Sequence, residues 1–432
     1  MNDLRPGNEL ARRAHRVLSP VLGHYTWVPL ERGEGSWLIT KDGRRILDLT
    51  CGIAVTPVGH AHPAVVKAVS EQAAKIMHMN VGVATTEPPV LLAEFLRTVL
   101  PAGIDTFVFQ NSGAEAIEAA IKFARQVTGR QAIVAFRGGF HGRTVGALSV
   151  TSSKSSYRRG YGTLLPDTHI APYPYPLACP VESARDPEGA TKYALDELDL
   201  MLEHEVPPEH VAAFLVEPVL GEGGYVAAPP AFLAALRALA DRIGALLILD
   251  EIQTAFGRAG AWTVSDRYGV RADIITLAKA LGGGLPLGAV AASRELHEKW
   301  QTGTHGSTFG GNAVSCAAGL ATLRVIKDEG LIERAEQVGA IVEEELRPLA
   351  RAEGVREIRR IGAMIGVEFD NKARSKAAIA GSLERNVLLI TCGAHDQVVR
   401  FIPPLNVAED DLRTGVRAFV DATKGAKVAT PA

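Results

Sequence analysis

Between about residues 65 and 320, short unbroken apolar runs alternate with longer stretches in which apolar positions recur every three or four residues. The unbroken runs are rich in Val, Ile, Leu and Ala and are bounded by glycine or charge. That is the pattern of strands buried on both faces, and the intervening periodicity is that of helices laid over them. Strands are predicted at 106–110, 132–136, 147–151, 212–217, 246–250, 274–278 and 288–292. Together they predict an α/β fold, with a large domain built on a mostly parallel seven-stranded sheet. The Gly/Pro-rich stretch 166–190 interrupts the alternation and reads as a long surface loop.

The two ends of the chain follow other patterns. A short amphipathic helix is predicted from Asn8 to Leu18, and Gly35 to Leu49 reads as a hairpin turned at Asp42-Gly43. A helix then opens at Pro63. Beyond about 325 come a charged helix, Glu329 to Ala352, and the strand-like runs VREIRRIGAMIGVEF, NVLLIT and VVRFIP. The expected organisation is an N-terminal segment 1–62, a large domain 63–325 and a C-terminal part 326–432. Both ends join in a smaller α+β domain.

Composition narrows the partners. At 432 residues the chain exceeds one typical domain and can bury a core without disulfides. A formal net charge of −2 argues against nucleic acid and offers no basic face to a membrane. Cys51, Cys179, Cys316 and Cys392 are scattered, without a CxxC pair, and read as reduced thiols. With no signal-like stretch or membrane-length apolar run, a soluble cytoplasmic protein is expected.

Candidate chemistry lies at the strand ends. LLILDEIQ ends its apolar run in Asp250, and IITLAK ends its run in Lys279, just before Gly282-Gly283-Gly284. In open α/β sheets the carboxyl ends of strands border the ligand crevice. An acid and a lysine placed there read either as two ordinary strand ends that happen to be charged or as a pair suited to pyridoxal phosphate, whose aldehyde condenses with a lysine and whose pyridine nitrogen takes an acidic partner. Burial would lower the lysine pKa in the direction a nucleophile and base needs. Asn111-Ser112-Gly113-Ala114-Glu115 opens a predicted helix and reads either as a phosphate cradle or as a simple cap at Ser112. Phe140, in Arg137-Gly-Gly-Phe-His-Gly-Arg143, reads as a stacking ring or as a core residue. Glu217 ends another apolar run, and Glu222 follows in a glycine loop where acids are ordinarily only solvated. His60 and His62 lack a third ligand, so a turn is expected there and no metal site.

The segments LILDEIQTAFGRAG and TLAKALGGGLPLGAV closely resemble the signature of the class III, fold type I, pyridoxal-phosphate-dependent aminotransferases. The resemblance runs from about residue 20 to 420. It implies that Lys279 carries the cofactor and moves the proton, and that Asp250 partners the pyridine nitrogen. It implies a phosphate cup at Ser112, Gly113 and Ala114, and a stack of Phe140 on the ring beside His141. Glu217, Ile252 and Gln253 are expected near the cofactor, with Ile252 standing where the family usually has valine. Thr308, in His305-Gly-Ser-Thr-Phe-Gly-Gly-Asn312, would reach the cofactor phosphate of a neighbouring subunit, which implies a homodimer, or a dimer of dimers, with shared sites. Ile53, Arg143, Glu222 and Arg400 would bind substrate.

The resemblance is greatest to 4-aminobutyrate aminotransferases, through Gly52-Ile53-Ala54-Val55 and the Cys392-Gly393 and Val399-Arg400-Phe401-Ile402-Pro403 segments. The expected reaction moves an amino group from 4-aminobutyrate to 2-oxoglutarate, giving the semialdehyde and glutamate. Ornithine, acetylornithine, lysine and β-amino acid aminotransferases share these residues in various combinations. Racemases and epimerases occur on related scaffolds. Hydride transfer is disfavoured, since Leu287 stands where a GxGxxG pattern needs its last glycine.

Overall fold

The computed structural model describes residues 8–425. Residues 1–7 and 426–432, included in the expected terminal segments, lie outside the described part.

Seven strands form the central sheet, in the order Thr106–Gln110, Gly288–Ala292, Ile274–Leu277, Leu246–Asp250, Val211–Val216, Ala132–Phe136 and Thr168–Ala171. Only Gly288–Ala292 runs against its neighbours, and every other adjacent pair is parallel. Residue alternation assigns each strand to two cores at once. Ile248, with Leu215 and Ile274, packs beneath helix Gly113–Thr128 through Ile117 and Phe123. Leu247 and Leu249 point to the opposite face, against Phe232 and Leu236 of helix Pro230–Ile243. These side chains are fully buried, and each contributes on the order of 2 kcal/mol.

Six of the seven predicted strands lie within a residue or so of their observed limits. The seventh differs. Residues 147–151 belong largely to helix Val145–Ser149, and the seventh strand is Thr168–Ala171, inside the stretch expected as loop. The carboxylate of Glu118 accepts the N–H groups of Gly146 and Ala147, at 2.9 and 3.2 Å. It thereby satisfies the open amino end of that helix from a neighbouring element, a signal that apolar run length does not carry.

The chain ends build two smaller sheets, one of them shared and one from the carboxyl-terminal part alone. Leu30–Glu34, Trp37–Thr40 and Arg45–Asp48 form an antiparallel set, which Val387–Leu388 extends by pairing parallel to Arg45–Asp48. Val355–Ile361, Met364–Phe369, Val398–Phe401 and Ile390–Cys392 form the other sheet. Helices Leu331–Leu346, Lys372–Glu384 and Glu409–Gly425 pack against these strands. The predicted hairpin turn at Asp42-Gly43 and the helix start at Pro63 are both present.

Cys51–Ala54 winds the wrong way. Its four residues have φ of 49°, 58°, 68° and 65°, one turn of left-handed helix of which only Gly52 is a glycine. Each of the other three costs about 1–2 kcal/mol. The turn is anchored upstream by Asp48, whose Oδ1 accepts the N–H of Thr50 at 2.8 Å and whose Oδ2 lies 2.8 Å from His60 Nε2. His62 instead lies 3.4 Å from Glu329.

Candidate active site

The parallel strands deliver their carboxyl ends to one edge of the sheet, and a cavity of about 490 Å³ opens there. Asp250 is the last residue of its strand, Glu217 follows Val216 directly, and Lys279 lies two residues beyond Leu277. Of the expected site residues, Ser112, Gly113, Ala114, Phe140, His141 and Arg143 line this cavity. So do Glu217, Asp250, Ile252, Gln253 and Lys279.

Lys279 takes a left-handed conformation, φ 45°, at the start of the short turn Lys279–Gly282. Removal from water lowers its pKa, and the carboxylates of Glu222, Glu217 and Asp250 only partly oppose that shift. The lysine is thus biased towards the neutral amine that a nucleophile requires.

Asp250 is held at both oxygens. His141 Nδ1 lies 2.7 Å from Oδ2, while the N–H of Ile252 and the hydroxyl of Thr276 reach Oδ1 at 3.1 and 3.2 Å. Burial disfavours the imidazolium of His141, but the hydrogen bond to Asp250 and the charges of Asp250 and Glu217 outweigh it and raise its pKa. Glu217 accepts the N–H groups of Phe140 and Gly221 at 2.7 and 2.9 Å. Burial first, and then the charge of Asp250, push its carboxyl pKa up.

At the other end of the cavity, helix Gly113–Thr128 presents its amino terminus. Ser112 Oγ accepts the N–H of Glu115 at 3.2 Å, so the cap is present. The Glu115 carboxylate bonds back to the N–H of Asn111 at 2.8 Å. The N–H groups of Gly113 and Ala114 find no protein acceptor among the described residues. A Cβ built on Gly113 would press on Ile252 at 3.0 Å, so glycine keeps this cradle open. A capped helix start with free N–H groups accepts a phosphate. A buried aspartate and a half-buried lysine across the cavity match a pyridine nitrogen and an aldehyde. These residues therefore fit pyridoxal phosphate.

Four expected residues lie off the cavity lining. Ile53 is half-exposed on the left-handed turn, and Val55, which sequence reading missed, lines the cavity in its place. Arg400 and Glu222 form a buried ion pair, Nη1 to Oε1 at 2.6 Å. Arg400 Nε has no hydrogen-bond partner among the described residues. Burial opposes both charges, but mutual attraction wins: the Glu222 pKa falls, and that of Arg400 rises. The glycine loop around Glu222 is not merely solvated. It is largely buried, and the Glu222 carbonyl accepts the N–H of Gly393 at 2.9 Å. Thr308 is separate again, its carbonyl accepting from Asn80 Nδ2 at 3.1 Å.

Residues 19–423 match the family model described as aminotransferase class-III. The chain is 39% identical over 396 residues to an acetylornithine aminotransferase of Archaeoglobus fulgidus, covering 91% of this chain and 95% of that protein. It is 35% identical over 400 residues to a probable 4-aminobutyrate aminotransferase of Bacillus subtilis, covering 89% and 90%. Among solved structures, an amine transaminase from an uncultivated Pseudomonas species, in its pyridoxal-phosphate-bound form, superposes with a TM-score of 0.87 at 29% identity. That match covers 92% of this chain and 94% of that one. The chain belongs to the class III aminotransferases, enzymes that work with pyridoxal 5′-phosphate.

Proposed function

We propose that this aminotransferase takes its amino group from the ω-end of a donor whose carboxylate lies far from the reacting carbon, and passes it to 2-oxoglutarate. 4-Aminobutyrate is the first choice of donor. The observation that carries this reading is the buried Arg400–Glu222 pair. An arginine beside the reacting carbon suits the α-carboxylate of glutamate or 2-oxoglutarate. Facing an ω-amine it would be a desolvated cation without a partner, and Glu222 supplies that partner. Acetylornithine also presents an amine remote from its carboxylate, so the relative in Archaeoglobus fulgidus supports the same donor geometry.

When bound, the cofactor supplies an aldehyde that captures amines and a ring that accepts the electrons released when a C–H bond breaks. The chain supplies the rest. Ser112, Gly113 and Ala114 would hold the phosphate, Phe140 would cover the ring face, and Asp250, braced by His141, would keep the pyridine nitrogen protonated. Lys279 Nζ would take the proton from the donor carbon, as its depressed pKa favours. Arg143 would hold the remote carboxylate. Thr308 would serve the neighbouring subunit of a homodimer. The division at residues 62 and 325, and action in the cytoplasm, belong to the same proposal.

The test is a screen of amino donors against 2-oxoglutarate, scoring both carbonyl product and racemised donor, on wild type and Glu222→Gln. Single-turnover cofactor spectra should show Glu222→Gln slowing the 4-aminobutyrate half-reaction more than the glutamate one. Equal losses for both would overturn the ion-pair reading. Racemised donor without carbonyl product would overturn transamination of that donor.

A further inference from the structure

Arg143 lines the cavity, is exposed, and has no ion-pair partner among the described residues. Its guanidinium is nevertheless placed. The central carbon stands 4.2 Å from the ring centroid of Tyr157, within cation–π range. Tyr157 ends the short 3₁₀ turn Ser155–Tyr157 and is half-buried. Its ring meets Phe140 edge-to-face, at 5.7 Å between centroids and 71° between planes. A second cation, Lys154 Nζ, lies 5.7 Å from the same ring. That ammonium is already bound to the carboxylate of Asp396, which also holds Lys372 at 2.5 Å. Of the two cations beside Tyr157, Lys154 is already paired and Arg143 is left for a ligand.

We propose that Tyr157 is a positioning residue, whose ring holds the Arg143 guanidinium at the cavity rim ready for the remote carboxylate of the donor. It thereby sets the preference for carboxylate-bearing amines over plain ones. The inference rests on the reading that Arg143 takes that carboxylate. A long, exposed arginine samples many rotamers, and one held in advance on an aromatic face loses less freedom when the ligand arrives. Because the same ring also abuts Phe140, the arginine is registered against the residue that lies over the cofactor site.

The experiment compares 4-aminobutyrate with butylamine, which has the same chain and no carboxylate, using holoenzyme at saturating 2-oxoglutarate. The ratio of kcat/KM for the acid to that for the amine isolates the carboxylate contact. Tyr157→Ala should lower this ratio about tenfold, through KM for 4-aminobutyrate. Tyr157→Phe keeps the ring face and should keep the ratio within about twofold of wild type. In an Arg143→Ala background, Tyr157→Ala should lower the ratio no further. Equal losses on both donors, or an undiminished effect without Arg143, would overturn the proposal. A ratio unchanged in Arg143→Ala itself overturns the underlying reading and this inference with it. A ratio lowered in Arg143→Ala but unchanged in Tyr157→Ala overturns this inference alone.

Discussion

Asp250 and Glu251 are adjacent in sequence, both buried, and chemically opposite. Asp250 faces the cavity with every oxygen engaged, so Asp250→Asn should cut turnover at least ~10²-fold, because losing a buried charge partner costs on the order of 3 kcal/mol. Activity near wild type would mean that another group serves the pyridine nitrogen. Glu251 turns away, accepting the N–H of Ser265 at 2.8 Å and the hydroxyl of Thr254. Desolvation pushes its pKa from 4.5 to about 7. The folded protein therefore binds this proton where the unfolded chain has released it, and stability falls as pH rises from about 4.5 to about 7. The loss is up to ~3 kcal/mol, since a tenfold change in proton affinity is worth about 1.4 kcal/mol. Urea midpoints of wild type and Glu251→Gln should diverge over that range, with the glutamine variant gaining as pH rises. Parallel curves would show that Glu251 does not titrate there. The charged strand ends were legible because a charge closing an apolar run is conspicuous. Tyr157 was not, because SSKSSYRRGYG is a polar stretch with no period, and only the fold brings its ring beneath Arg143.

At the scale of elements, strand positions follow from run length and alternation, and expectation and structure part where neighbours decide. ALSVT has the composition of a strand, but Glu118 caps it as a helix from another element. THIA is too short to stand out among the prolines, yet pairs with Ala132–Phe136 at the sheet edge. Helix Leu331–Leu346 offers a test in which two principles disagree in sign. An alanine replacing an interior helical glycine ordinarily stabilises by about 0.5–1 kcal/mol. A methyl on Gly339, however, would overlap the carbonyl oxygen of Gly362, in the turn joining Val355–Ile361 to Met364–Phe369. Gly339→Ala is expected to destabilise by about 1–3 kcal/mol, measured as a lowered thermal midpoint. A raised midpoint would mean that the helix and this turn are not in close contact.

Across the whole molecule, Met77, Val81, Val83 and Phe309 are large apolar side chains left exposed, and the contact of His78 with Phe309 brings their two segments together. Thr308 adjoins this surface and stays off its own cavity, an arrangement that suits a homodimer in which each chain completes the other's site. Complementation tests this: a refolded mixture of Lys279→Ala and Thr308→Ala chains should form mixed dimers carrying one intact site. About a quarter of all sites would then regain cofactor retention at limiting pyridoxal phosphate. No gain on mixing would place Thr308 outside a shared site. The parallel pairing of Arg45–Asp48 with Val387–Leu388 has a different consequence, in time rather than space. Those residues lie more than three hundred positions apart, so during synthesis the amino-terminal strands wait for nearly the whole chain before their sheet can close. The central sheet uses only residues 106–292 and can assemble while the ribosome is still at work. The expected order of birth is therefore cofactor platform first and terminal sheets last, with Ile53 on its left-handed turn taking its place only after the carboxyl-terminal strands emerge.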